Sequence, residues 1–118
     1  MKKILVVDDE FGLAEALQAL LADEGYRVTT AVNGVQGLEK ITEFEPDLIL
    51  TDYMMPVMGG PELLKAIRES ATHRALPVIL MSGVPESRLA GEIAGYNGFL
   101  RKPFDSKALL LLVEKLVG

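Results

Sequence analysis

The chain has 118 residues, too few for two self-sustaining cores, and its 49% hydrophobic and 25% charged residues exclude intrinsic disorder. A formal net charge of -5 argues against binding nucleic acid or an anionic membrane by charge, and the lack of cysteine excludes disulfides and thiolate metal sites. Met1-Lys2-Lys3 begins like a signal peptide, but the apolar run Ile4 to Val7 stops at Asp8, short of the ~7 residues of a signal core, and no stretch approaches the ~18 of a membrane span. A soluble cytoplasmic protein with one domain over residues 1–118 is expected.

Ile4-Leu5-Val6-Val7 is rich in β-branched residues and lacks polar alternation, which predicts a strand covered on both faces. The period then becomes helical. Leu13, Ala14, Ala16, Leu17, Leu20 and Leu21 share a face with Glu15 and Gln18 opposite, and Gly25 ends the helix. Tyr26 to Ala31 alternates and predicts an edge strand. Asn33-Gly34 opens a second helix to about Phe44, and Pro46 separates it from a third strand, Leu48-Ile49-Leu50, that closes on Asp52. Pro61 stands at a first helical position ahead of Leu63, Leu64 and Ile67. Val78 to Met81 predicts a fourth strand ending at Ser82. Between Gly83 and Gly98, Pro85, Gly91 and Gly95 leave room for a short or mobile fourth helix of about two turns. Phe99-Leu100-Arg101 is a second edge. Asp105 or Ser106 caps a last helix with Leu109, Leu110, Leu112, Val113, Leu116 and Val117 on one broad apolar face and Leu111 off it. This β-α alternation, with connections of crossover length, predicts one parallel sheet with helices on both faces.

In an open parallel sheet, ligands bind beyond the carboxyl ends of the strands. Here those ends carry Asp8-Asp9, Asp52, Ser82 and Lys102-Pro103. If the first and third strands are neighbours, three carboxylates share one crevice with a hydroxyl and an ammonium at its rim. The carboxylates repel, so at least one is expected to have its pKa raised unless a divalent cation relieves the site. Oxygen ligands without His or Cys select a hard ion, and so few carboxylates favour Mg2+ over a fully caged Ca2+. Lys102 and Ser82 can meet an anion brought to that ion, which points to a phosphoryl group. Asp8-Asp9 alone could instead cap the first helix. Met54, Met55 and Met58 read as filler or adaptable surface, and His73 as a solvated loop residue without a ligand set.

In order, Ile4-Leu5-Val6-Val7-Asp8-Asp9-Glu10, then Pro46 to Asp52 followed by Met55-Pro56 and Gly59, then Met81-Ser82-Gly83, then Phe99-Leu100-Arg101-Lys102-Pro103-Phe104 resemble the receiver domain of two-component response regulators over essentially the whole chain. The resemblance implies a flavodoxin-like, doubly wound α/β/α fold with strand order 2-1-3-4-5. It implies that Asp52 is the phosphoacceptor, taking its phosphoryl group from a sensor histidine kinase or histidine phosphotransfer protein. Mg2+ would be held by Asp52, by Asp9 directly, by Asp8 largely through water and by the backbone carbonyl of Met54, with Lys102 neutralising phosphoryl oxygens. Ser82 and Phe99 would form the switch. A downstream effector domain or protein would read the surface of the fourth helix, fifth strand and last helix, and Leu111 is a possible homodimer contact. No direct nucleic-acid binding and no membrane are implied for this domain.

Two features depart from the family pattern. The segment from Ser82 to Lys102 is a residue or two short, and Tyr53, Met54 and Val84 make the rim bulkier and more apolar, which would shield an acyl phosphate from water. Other readings fit less well. A degenerate receiver serving as an interaction module would not need Asp8, Asp9, Asp52, Ser82 and Lys102 intact. An aspartate-nucleophile phosphatase would want an acid where Met54 stands, and a flavin mononucleotide carrier a phosphate loop where Asp9-Glu10-Phe11 stands.

Overall fold

Apolar runs without alternation can only be satisfied by cover on both faces, and in the structure, a computed structural model, they become the inner strands of one sheet. Residues 1–89 and 91–117 are described; residue 90, in the expected fourth-helix stretch, and residue 118 lie outside the described residues. The elements run β1 (Lys3–Val7), α1 (Phe11–Asp23), β2 (Arg27–Ala31), α2 (Gly34–Phe44), β3 (Leu48–Asp52), α3 (Gly60–Glu69), β4 (Val78–Ser82), α4 (Glu86–Leu89), β5 (Gly98–Arg101) and α5 (Ser106–Val117). All strand pairs are parallel and the order is β2-β1-β3-β4-β5, the doubly wound arrangement implied by the resemblance.

Alternate side chains of each inner strand enter different cores. Ile4, Val6, Leu48, Leu50, Ile79 and Met81 pack with Leu17 and Leu21 of α1 and Leu109 and Val113 of α5. Leu5, Val7, Ile49, Val78 and Leu80 pack on the other face with Ile41 of α2, Leu63, Leu64 and Ile67 of α3, and Leu89 of α4. This two-sided burial explains why β3 and β4 are buried at every position.

The helix boundaries follow local chemistry. Gly25, at φ 94°, takes the left-handed conformation beyond the end of α1. Asn33 caps α2, its Oδ1 accepting from the Gln36 N–H at 2.9 Å, while Gln36 Oε1 accepts from the Val32 N–H at 2.7 Å. Of the two candidate caps for α5, Asp105 acts, its Oδ1 accepting from the Ala108 N–H at 2.7 Å. Before α3, the Glu62 carboxylate accepts from the Gly59 N–H at 3.0 Å.

Three expectations are corrected. Gln18 is not on an outer face: its Nε2 donates to the Val28 carbonyl at 3.1 Å and ties α1 to β2, whereas Ala16 is the exposed member of the expected apolar face. The fourth helix is one turn rather than about two, because Pro85 precedes it and Gly91 follows; the Glu92 and Ile93 N–H groups then both donate back to the Leu89 carbonyl. His73 is half-buried, with its N–H donating to Ser70 Oγ at 3.2 Å. Leu111 does stand off the α5 core face, 59% exposed. No helix among the described residues is long and apolar enough to cross a membrane.

Candidate functional site

Strand register gathers the site. Val7 pairs with Thr51, so Asp8 and Asp52 follow at the same level on neighbouring strands; Asp52 pairs with Met81, and Ser82 with Arg101, which brings Ser82 and Lys102 to the same edge. Backbone bonds fix these ends: the Asp8 N–H donates to the Ala31 carbonyl at 3.0 Å, and the Lys102 N–H to the Ser82 carbonyl at 2.7 Å.

Carboxylate oxygens of Asp8, Asp9 and Asp52 lie within 4.8 Å of one another. Asp8 is fully buried and Asp52 is 8% exposed, whereas Asp9 faces solvent. The Lys102 Nζ stands between them, 3.1 Å from Asp8 Oδ2 and 3.3 Å from Asp52 Oδ1. A third carboxylate, Glu10 Oε1, lies 3.7 Å from the same ammonium. The residue type of Glu10 marks it for no role, and its place directly after Asp8-Asp9 is the signal that points to it. Asp8 does not cap α1. Its Oδ1 accepts from the Glu10 N–H at 2.9 Å, and Glu10, without a side-chain bond, occupies the cap position.

Burial pushes the Asp52 carboxyl above its ordinary value, the charge of Lys102 opposing and that of Asp8 adding to the rise. The expected raised carboxylate is therefore Asp52, but desolvation outweighs the repulsion on which that expectation rested. For Lys102, burial pulls the ammonium down, yet the Asp8 hydrogen bond and the charges of Asp52 and Asp8 prevail and leave its pKa raised.

Ser82 and Lys102 are deeper than a rim. Ser82 is buried, with its Oγ accepting from the Val84 N–H at 2.9 Å, and the Lys102 side chain is 18% exposed. Beside the ammonium, Glu10, Leu13, Lys102, Pro103 and Phe104 line a groove of about 400 Å³. Phe99 is half-buried against the α2–α3 core, its ring centroid 6.2 Å from that of Tyr96. Met54 is 72% exposed, while Met55 and Met58 pack as filler against the same core. The sequence shows Tyr53 only as bulk at the rim. Its N–H donates to Asp52 Oδ1 at 2.9 Å and its hydroxyl to Glu92 Oε2 at 2.8 Å, a bond that pushes the phenol pKa up.

A five-stranded parallel sheet in this order, with an acidic crevice and a lysine at its carboxyl edge, defines the flavodoxin-like class of doubly wound domains. Within that class, residues 4–114 match the response regulator receiver domain. The response regulator Rre1 of Synechocystis sp. is 36% identical over 118 residues, covering 98% of this chain and 51% of that protein. The probable transcriptional regulator ycf29 of Pyropia yezoensis is 34% identical over 118 residues, covering 98% of this chain and 53% of its own length. The chain thus spans about half the length of the curated relatives it matches. The high-resolution structure of the chemotaxis response regulator CheY4 of Vibrio cholerae superposes with a TM-score of 0.89 at 34% identity, covering 98% of each chain. The chain belongs to the response regulator receiver domain family of two-component signal transduction.

Proposed function

We propose that residues 1–118 form one receiver domain that takes a phosphoryl group onto Asp52 from a phosphohistidine on a sensor kinase or phosphotransfer protein. The reading rests above all on the Lys102 ammonium lying 3.3 Å from Asp52 Oδ1 at the mouth of a three-carboxylate crevice. An oxygen of Asp52 attacks phosphorus, the O–P bond forms as the N–P bond breaks, and the imidazole leaves. Burial, which also raises its pKa, leaves this carboxylate poorly solvated, so it gives up little hydration on reacting, and Lys102 neutralises charge on the phosphoryl oxygens. All-oxygen donors without His or Cys suit a hard cation, and Asp8, Asp9 and Asp52 with the Met54 carbonyl would hold Mg2+, which when bound shields the negative charge of acceptor and phosphoryl group. Both Asp8 oxygens already have partners, consistent with its acting largely through water.

The chain acts as a switch whose only chemistry is its own phosphorylation and dephosphorylation. The Ser82 hydroxyl can turn from its present place to donate to a phosphoryl oxygen, and half-buried Phe99 then rotates inward. The face of α4, β5 and α5 carries the change to an effector domain or protein, in keeping with relatives that are transcriptional regulators of about twice this length. Leu111 offers a contact to a second copy, which sedimentation before and after Leu111→Lys would reveal. The central test is acetyl phosphate with Mg2+, followed by intact-mass measurement. One added phosphoryl group is expected, and none on Asp52→Asn; equal labelling of that variant rules out Asp52 as the acceptor.

A further inference from the structure

A helix as short as α4 has little stability of its own, so contacts made by the surrounding chain set its position and that of the connection to β5. Leu89 and Ile93 are buried, and three polar ties hold the rest. Arg68 of α3 reaches across to the Gly95 carbonyl at 2.7 Å and to Asn97 Oδ1 at 2.9 Å. The Tyr96 hydroxyl donates to Glu86 at 2.7 Å, and the Tyr53 hydroxyl to Glu92 at 2.8 Å. The last of these differs from the others in where it leads. Tyr53 directly follows Asp52 and donates its N–H to Asp52 Oδ1, the oxygen that also faces Lys102. One residue therefore grips the acceptor carboxylate by its backbone and the α4–β5 connection by its side chain.

We propose that the Tyr53–Glu92 hydrogen bond is a latch that holds residues 91–97 in their unphosphorylated position and forms a line of communication from Asp52 to the output surface separate from Ser82 and Phe99. The proposal rests on Asp52 being the phosphoacceptor. A group added to this carboxylate competes for the oxygen that Tyr53 N–H now holds and for the Lys102 beside it, so Tyr53 is the first residue obliged to move. Its hydroxyl carries that movement to Glu92, 39 residues along the chain. A bond made in the unmodified state and broken in the modified one opposes modification by its own strength, and its removal must favour modification to the same degree.

The test is calorimetric titration of the whole chain with beryllofluoride in saturating Mg2+, a non-covalent stand-in for the phosphoryl group, on the parent, Tyr53→Phe, Glu92→Ala and the double variant. Glu92 is exposed and Tyr53 is half-buried against the α2–α3 core, so circular dichroism checks that each variant is folded. A latch predicts that each single variant binds beryllofluoride roughly three- to tenfold more tightly, the worth of one exposed hydrogen bond to a charged group, and that the double variant gains no more than either single one. Unchanged or weaker binding in Glu92→Ala overturns the latch, because that residue lies outside the acidic crevice and, among the described residues, its side chain bonds to Tyr53. Fully additive gains also overturn it, since the two groups would then act independently. If the parent itself binds no beryllofluoride, the phosphoacceptor reading falls and the latch with it, an outcome distinct from equal binding by all four proteins.

Discussion

Val57 has φ 69°, a left-handed conformation that its branched Cβ resists, and it is 83% exposed, so no packing repays the strain. Val57→Gly is expected to raise stability by about 1 kcal/mol in urea denaturation, the relieved strain exceeding the added flexibility of the unfolded chain. The Asp52 carboxyl acts in a different way. Because burial raises its pKa in the fold, the folded chain binds that proton more readily than the unfolded one, and the ionised group weakens the fold at neutral pH. That weakening disappears as pH falls through the raised value. Asp52→Asn should therefore melt later than the parent at pH 7 without metal, by on the order of 1 kcal/mol, with the gap closing on acidification. Lys102 does not reverse this sign, since it keeps its 3.1 Å partner Asp8. A variant that melted earlier at pH 7 would show that the Lys102 pairing outweighs desolvation.

Among the glycines, the closest approach to backbone is where α3 meets the end of β3. A Cβ on Gly60 would lie 2.6 Å from the Asp52 carbonyl oxygen and 3.0 Å from Tyr53 Cα, both backbone atoms. Gly60→Ala should cost roughly 2 kcal/mol of stability, read from the urea midpoint, and slow acetyl phosphate labelling by displacing the strand end that carries Asp52, the proposed acceptor. The contact was not legible in the sequence, which shows Gly59-Gly60-Pro61 only as a turn into a helix. β1, β3 and β4 were legible because burial on two faces leaves an unbroken apolar run. α4 was legible only as a weakness, since Pro85 and Gly91 mark its ends without saying how the chain between is held. Gln18 misled because helical spacing assigns a polar side chain to solvent and cannot show a β2 carbonyl within its reach.

At the scale of the whole molecule, the site is joined by four strand ends drawn from across the chain. Asp8, Asp52, Ser82 and Lys102 could be read in advance because a parallel sheet brings every carboxyl end to one edge. How deep each would lie could not, because depth depends on packing between segments distant in the chain, and Ser82 and Lys102 are more enclosed than their place at strand ends suggests. The site also bears on global stability. Asp8 is fully buried, and Lys102→Ala would leave it without its ammonium, so thermal or urea unfolding should report a loss of about 2–4 kcal/mol. Mg2+ at several times its Kd should stabilise the parent by roughly 1 kcal/mol and a chelator should remove that gain. Indifference of both parent and variant to Mg2+ would count against a metal in the crevice.

The ion pairs that Lys102 makes with Asp8 and Asp52 have an evolutionary consequence. Replacing such a cluster by well-fitted apolar side chains commonly makes a protein sturdier. Breeding this chain for heat resistance alone would therefore tend to erode the crevice, and with it the phosphoryl transfer proposed for Asp52.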